Sequence, residues 1–305
     1  MYTSLDYNRA FQYLIRCKTD ANTDGSLFEG FDSGSYMLPY GFAGDYKEAL
    51  TRENLFRRYG TVLTNVSDGY LQTVASTADA QVISEEVAYP EDSDAFTKLT
   101  FSAYKIAALA KLNHSFVTDA HFDVDKYLKS DFARRFGRAE ENVLLNGTGV
   151  DEPTGLLTSA DVGVTAAGGT AITGDEVIAL YFSVKPEYRK NSVWLMNDAT
   201  ALALRSLKDS TGNYIWRSTD DTILGKPVVI SNFMPDMAAG NSAVAYGDLS
   251  YFWLLERKPL SVRILTEKYM VSSMIGFAAY ERIDGVLVRN EAVKVLKMAG
   301  ADSNK

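Results

Sequence analysis

Between Phe122 and Leu145 apolar residues return every three or four positions, at Leu128, Phe132, Phe136, Ala139 and Val143. That spacing predicts one amphipathic helix with a single apolar stripe. Asp123 is placed to cap its start, and Asp125 suits the positive end of the helix dipole. At about 1.5 Å per residue the helix would run about 35 Å, longer than a small domain requires and suited to a spine. Asn146-Gly147 supplies the stop. The stretch Glu141–Leu157, ENVLLNGTGVDEPTGLL, thus reads as a helix end, a glycine-marked stop and a P-x-G turn.

Upstream, Leu5–Arg16 reads as a short amphipathic helix with Tyr7, Phe11, Leu14 and Ile15 on one face. Lys18–Gly44 is rich in Gly, Ser, Asp and Asn and cannot bury much of itself; it is an arm that needs another surface, or a loose tail. Asp45–Tyr59 predicts a second helix, and Thr61–Val74 a strand interrupted by turn chemistry at Ser67-Asp68-Gly69. Val82, Ile83, Val87 and Tyr89 form one β-prone run, and Leu99, Phe101 and Ala103 alternate in another. Pro90–Asp94 separates them as a turn, which predicts a long hairpin with an acidic tip. Such a hairpin is marginal in water alone and needs a partner surface.

Downstream, Val162–Ala171 is a Gly-, Ala- and Thr-rich boundary. Helices at Asp175–Val184 and Ala199–Leu207 then alternate with short strands at Ser192–Met196, Tyr214–Trp216, Leu224–Val229, Ala243–Gly247, Tyr251–Glu256 and Ser261–Leu265. This alternation predicts an α/β subdomain. The apolar tail Met270–Met298 is expected to return to the first subdomain and complete a sheet beside the spine.

The chain has 305 residues, 46% hydrophobic, enough for a core divided into two subdomains. A net charge of -8 argues against a dedicated nucleic-acid reader, although a local basic patch can coexist with it. Cys17 is the single cysteine, so cysteine can build neither a disulfide nor a zinc cluster, and the chain fits a reducing compartment. The first residues hold no apolar secretory region, and no run nears the ~18 apolar residues of a membrane span.

Motifs for chemistry are missing their context. Gly147, Gly149 and Gly155 follow a helix rather than precede one, and no lysine follows to meet a phosphate. His114 and His121, with Asp119 and Asp123 nearby, lack an evident third metal ligand. No G-x-S-x-G occurs, and the adjacent acids Glu85/Glu86, Asp151/Glu152 and Asp220/Asp221 are expected by chance in an acid-rich chain. No catalytic residue, metal or cofactor is expected.

The arginines are more telling. Arg52, Arg57 and Arg58 precede the hairpin, and Arg134, Arg135 and Arg138 lie on the predicted spine. Guanidinium forks suit two-point pairing with carboxylates at interfaces. The hairpin carries Glu85, Glu86, Glu91, Asp92 and Asp94 around Tyr89-Pro90, and is their complement. Such matching would mainly set register and partner choice. The competing reading is a solvated helix surface, where ion pairs contribute little.

In order, the Gly-rich arm, the segment PEDSDAFTKLTFSAYKIA, the spine FDVDKYLKSDFARRFGRAEENVLLNGTG and the turn DEPTGLL resemble the major capsid protein of tailed bacteriophages, with the Hong Kong 97 fold. LKDSTGNYIW and ILGKPVVIS, further on, resemble the same family. The likeness spans Ser35–Met298, and it is the order and spacing of individually degenerate pieces that carry it. It implies an α+β fold with an N-terminal arm (1–46) and an extended E-loop hairpin (75–100). It also implies a peripheral domain holding the spine (47–74 and 101–157 with 263–298), an α/β axial domain (158–262) and a C-terminal tail (299–305).

The resemblance implies a structural, non-enzymatic protein found in the virion and, during assembly, in the host cytoplasm. Its copies would form hexamers and pentamers of an icosahedral shell around double-stranded DNA, which they would touch weakly and non-specifically. A portal and a scaffold or maturation protease are the other implied partners, with no membrane. Two departures stand out. The hairpin has no lysine before Lys98, against covalent crosslinking through the E-loop. The chain also begins almost at the arm, so scaffolding is expected from another protein or from a segment already removed. An encapsulin-like compartment with enzyme cargo is the alternative within the fold, and a soluble enzyme that stays a small oligomer is the alternative outside it.

Overall fold

A computed structural model describes residues 36–37, 40–64, 69–76, 95–118, 123–208, 212–214, 216 and 221–300. In chain order its elements are β1 (Tyr36–Met37), α1 (Tyr40–Glu53), α2 (Leu55–Tyr59), β2 (Thr61–Thr64), β3 (Gly69–Ser76), β4 (Ala95–Phe101), β5 (Tyr104–Asn113), α3 (His114–Thr118), α4 (Val124–Asn146), α5 (Leu156–Ser159), β6 (Asp161–Thr165), α6 (Gly174–Ser183), β7 (Val193–Met196), α7 (Asp198–Arg205), β8 (Thr222–Ile223), β9 (Lys226–Ile230), β10 (Ser242–Gly247), β11 (Phe252–Leu265), β12 (Met274–Leu287) and β13 (Val293–Lys297).

The spine is α4, 23 residues long. Asp123 caps it, its carboxylate accepting from the Lys126 N–H at 3.1 Å. The stripe residues Leu128, Phe132 and Phe136 are buried, and Ala139 and Val143 are half-buried. Gly147 ends the helix, but with φ −55 it is not in the left-handed region that a glycine stop usually exploits. Its lack of a side chain serves close approach instead: a Cβ there would lie 2.1 Å from the Pro153 carbonyl oxygen. The loop folds back so that the Gly155 N–H donates to the Gly147 carbonyl at 2.9 Å.

The spine lies on a five-stranded sheet of order β1-β11-β12-β5, with β2 parallel to the first part of β11 and β1 antiparallel to its later part. β11 and β12 each have 14 residues, about 46 Å at ~3.3 Å per residue, enough to underlie the spine. The two short strands expected at Tyr251–Glu256 and Ser261–Leu265 are this one strand, β11. Its register shifts between Glu256 and Ser261. Pro259 lies in that interval and donates no ladder hydrogen bond, so the local pattern read as a gap. On β12 the period-two face Ile275, Phe277, Ala279, Glu281 and Ile283 is buried, while Arg282 faces out.

The predicted helix Asp45–Tyr59 is two helices, with the first beginning at Tyr40, inside the expected arm. Asn54 makes the break: its side chain accepts from the Phe56 N–H at 2.8 Å and caps α2. α1 packs on the spine, with Tyr46 and Leu50 buried. The contact is close at Gly137, where a Cβ would sit 2.8 Å from Glu53 Cβ.

A six-stranded sheet forms the α/β part, in the order β6-β13-β10-β7-β9-β8. β7 is buried throughout: Trp194 and Met196 pack with α6 and α7, and Val193 and Leu195 pack with the spine's last turn. The tail divides between the layers. β12 joins β5 beside the spine as expected, but β13 inserts between β6 and β10. The two subdomains therefore exchange strands: β11 starts inside the range predicted as axial, and β13 lies outside it.

β4 pairs with β3, from Gly69↔Phe101 to Ser76↔Ala95. The run Val82–Tyr89 and the acids Glu85, Glu86, Glu91, Asp92 and Asp94 lie outside the described residues, as do Leu5–Arg16, Cys17 and His121. The α1–spine contact makes a direct prediction. Gly137→Val should wedge α1 away and lower stability by about 1–3 kcal/mol, read as a lower denaturation midpoint. An unchanged midpoint would show that the two helices are not in tight contact.

Candidate assembly surfaces

Inside the molecule, α2 aims Arg57 between the spine and the sheet. Its side chain is 5% exposed. Nε and Nη2 donate to the two Glu140 oxygens at 2.7 and 2.6 Å, and Nη1 donates to Glu256 at 3.2 Å. Asn54 Nδ2 donates to the same Glu140 at 2.7 Å. Glu281, on the buried face of β12, completes the group, with the Tyr46 hydroxyl 3.5 Å from its Oε2. Three buried carboxylates thus surround one guanidinium. Burial pushes the Glu281 carboxyl well above its ordinary value, and Glu140 pushes it further. As a carboxylate, Glu281 leaves Oε1 without a donor; as a carboxylic acid it hydrogen-bonds to Glu140. Burial and the neighbouring Glu140 both favour the protonated form. Burial opposes the charge on Arg57, but Glu140, Glu281 and Glu256 together more than offset this and the pKa is raised. The sequence grouped Arg57 with the surface arginines; the structure corrects this, because its fork is used within its own chain.

The next spine residue extends the tie. Glu141 accepts from the Leu55 N–H at 3.3 Å and from Ser231 Oγ at 2.5 Å, just beyond β9. One turn of the spine therefore grips α2, the five-stranded sheet and the edge of the six-stranded one. Glu281 was findable in the sequence: in β12 it interrupts an apolar alternation with a carboxylate. The consequence is measurable. The folded state keeps a proton that the unfolded chain releases above about pH 4.5, so stability falls as pH rises from there toward the folded pKa. Glu281→Gln should flatten the fall in denaturation midpoint between about pH 5 and pH 8 relative to the native chain. Parallel slopes for the two proteins would mean that Glu281 is ionised in the fold.

The other arginines separate into two sets. Arg135 Nε lies 2.9 Å from Asp131, an ion pair, and Nη1 donates to the Leu109 carbonyl on β5 at 3.1 Å. It fastens the spine to its own sheet. Arg52, Arg58, Arg134 and Arg138 are exposed. Arg52 pairs with Glu48 along α1, Arg58 stacks on Tyr59, and Arg134 reaches Asp131 only at 3.5 Å. Arg138 makes no hydrogen bond or ion pair among the described residues. These four line one cleft of about 460 Å³, closed on its far side by Val229–Phe233.

Several surfaces are left uncovered. β3 and β4 form a two-stranded ribbon with no third strand among the described residues. At the turn between β11 and β12, Met270, Val271 and Met274 are exposed, Val271 fully so. On the six-stranded sheet, Val162, Ile178 and Phe182 are exposed at the β6–α6 edge, and Leu202 and Leu224 on the α7–β8 side. Among the described residues no group of three His, Cys, Asp or Glu side chains is disposed to hold a metal, and no helix is long and apolar enough to cross a membrane.

A spine laid on long strands, an α/β module sharing strands with it and a two-stranded ribbon together define an α+β shell subunit of the Hong Kong 97 type. Residues 34–298 match the model of the Phage capsid family, and the chain belongs to that family. Among solved structures it is similar to the capsid of a native GTA particle, with 26% identity, a TM-score of 0.71, and coverage of 92% of this chain and 97% of that one. The capsid of the empty GTA particle gives 25% identity and a TM-score of 0.72 over 90% and 97% of the two chains. Microbacterium phage Oxtober96, at 18% identity and a TM-score of 0.60 over 80% and 91%, shares the fold. No curated protein matches the sequence.

Proposed function

We infer that this chain is a major capsid protein whose copies self-associate into the icosahedral shell of a bacteriophage. The observation that carries this is family membership across residues 34–298, including the spine and both sheets. The relatives are structural proteins, and no observation favours an encapsulin-like compartment.

In the finer reading, the five-stranded sheet with its spine serves as the peripheral domain, and the α/β module as the axial domain of hexamers and pentamers. The two sides of the axial sheet differ, β6–α6 on one and α7–β8 on the other, and each exposes apolar side chains. Contact between unlike edges of successive copies is heterologous, and it closes into a ring when the rotation fits. The ribbon β3–β4, which has no third strand among the described residues, gains a surface on the next copy. Each contact is modest, but many per subunit give large avidity. The net charge of -8 suits a wall that touches double-stranded DNA weakly, so that the genome can be packed and released. A portal and a scaffold or protease are the further partners of this reading. One relative in fold is the satellite phage P4 procapsid, which includes a size determination protein. Location in the virion follows, with assembly in the host cytoplasm.

Negative-stain microscopy of the purified protein over a range of concentrations tests this. Closed shells or rings of capsomers are expected. A monomer or one small fixed oligomer at every concentration would contradict the reading.

A further inference from the structure

Four guanidinium groups from three elements, Arg52 on α1, Arg58 on α2 and Arg134 and Arg138 on the spine, line the cleft of about 460 Å³. The arrangement works against the fold. Arg134 and Arg138 stand four residues apart on one helix, where like charges repel. The acids of the lining do not neutralise them. Glu53 is a single exposed carboxylate, and Glu141 has both oxygens engaged by Leu55 and Ser231. Arg52 is paired with Glu48, Arg134 reaches Asp131 only at 3.5 Å, and Arg138 makes no hydrogen bond or ion pair among the described residues. A concave site lined by one sign of charge focuses a field that favours an ion of the opposite sign.

We propose that this cleft binds a multiply charged phosphate anion through Arg58, Arg134 and Arg138. The proposal goes beyond the shell reading and does not depend on it. Two features select phosphate over carboxylate. The guanidinium groups come from different elements and so approach from different sides. A phosphate offers oxygens in tetrahedral directions and accepts from several forks at once, whereas a carboxylate offers two oxygens in one plane. Asn232, exposed on the far wall, adds an uncharged amide donor of the kind that phosphate oxygens also accept. A free oligophosphate and a stretch of nucleic-acid backbone present this same chemistry. Occupancy has a structural consequence. The lining belongs to α1 and α2, to the spine and to the end of β9 with the segment after it. A bound anion therefore ties the spine layer to the α/β module from the solvent side, as Glu141 does from within. An ion that binds only the folded chain stabilises it.

Tripolyphosphate, added to the purified full chain, is the probe. Isothermal titration calorimetry should show saturable binding. The thermal denaturation midpoint should rise with it, at concentrations where sodium chloride of equal ionic strength gives no rise. Arg134→Gln with Arg138→Gln should weaken binding about tenfold or more, and Arg58→Gln, on a different element, should weaken it in the same direction. Lys105→Gln with Arg282→Gln removes the same charge from exposed, cross-strand positions on β5 and β12 and should leave binding within about twofold. All these side chains are exposed, so circular dichroism should match the native chain. No saturable binding by the native chain would overturn the proposal. So would binding undiminished by the Arg134/Arg138 change, or weakened equally by the Lys105/Arg282 change.

A further arm separates the two sources of phosphate. A short labelled DNA strand that binds, is displaced by tripolyphosphate and is lost with Arg134→Gln/Arg138→Gln assigns the cleft to nucleic-acid backbone. Arginine-dependent tripolyphosphate binding without any binding of the strand assigns it to a free oligophosphate. Either result supports the cleft as a phosphate site, whether or not the same preparation forms shells.

Discussion

The guanidinium of Arg57 touches carboxylates from two layers at once, Glu140 on the spine and Glu256 on β11, while Glu281 on β12 leans on the same Glu140. Buried ion pairs are weak evidence for stability as such, because desolvation offsets much of their attraction. They do fix geometry: removing one partner strands the rest, at a cost of about 3–5 kcal/mol. Here the stranded groups would be carboxylates beneath the spine. The cluster therefore sets where α2 sits along the spine and how both sit over β11 and β12. Glu141, one residue further, carries the same tie to Ser231 and hence to the α/β module.

The outer surface inherits its layout from that interior. Arg58 sits beside Arg57 on α2, and Arg134 and Arg138 lie on the spine's solvent side because Leu128, Phe132 and Phe136 hold the opposite side on the sheet. The wall Val229–Phe233 faces them because Glu141 holds Ser231. A basic cleft beside the spine is thus a by-product of how the core is pinned.

Much of this was legible in the sequence. The spine's stripe came from helical spacing, its Asp123 cap and its stop at Gly147 from residue type at the ends, and the α6–β7–α7 alternation from the change of period. What was lost depends on distance along the chain. β13 joins β6 and β10 from more than forty residues beyond either in sequence order, and no local pattern names a strand's neighbours. Pro259 and its register shifts made one strand read as two. Arg57 and Arg58 are adjacent and chemically alike; which of them turns inward depends on Glu140 and Glu256, which lie 83 and 199 positions away. The acid tip of the hairpin and the helix at Leu5–Arg16 lie outside the described residues.

Native-state hydrogen exchange on the unassembled subunit, compared between the native chain and Arg57→Met, tests the pinning most directly. If the Arg57 cluster couples the layers, amides of α1–α2, of the spine around Glu140 and of β11–β12 should lose protection together and by similar factors. Loss confined to α2, with the spine and the long strands protected as before, would contradict the account.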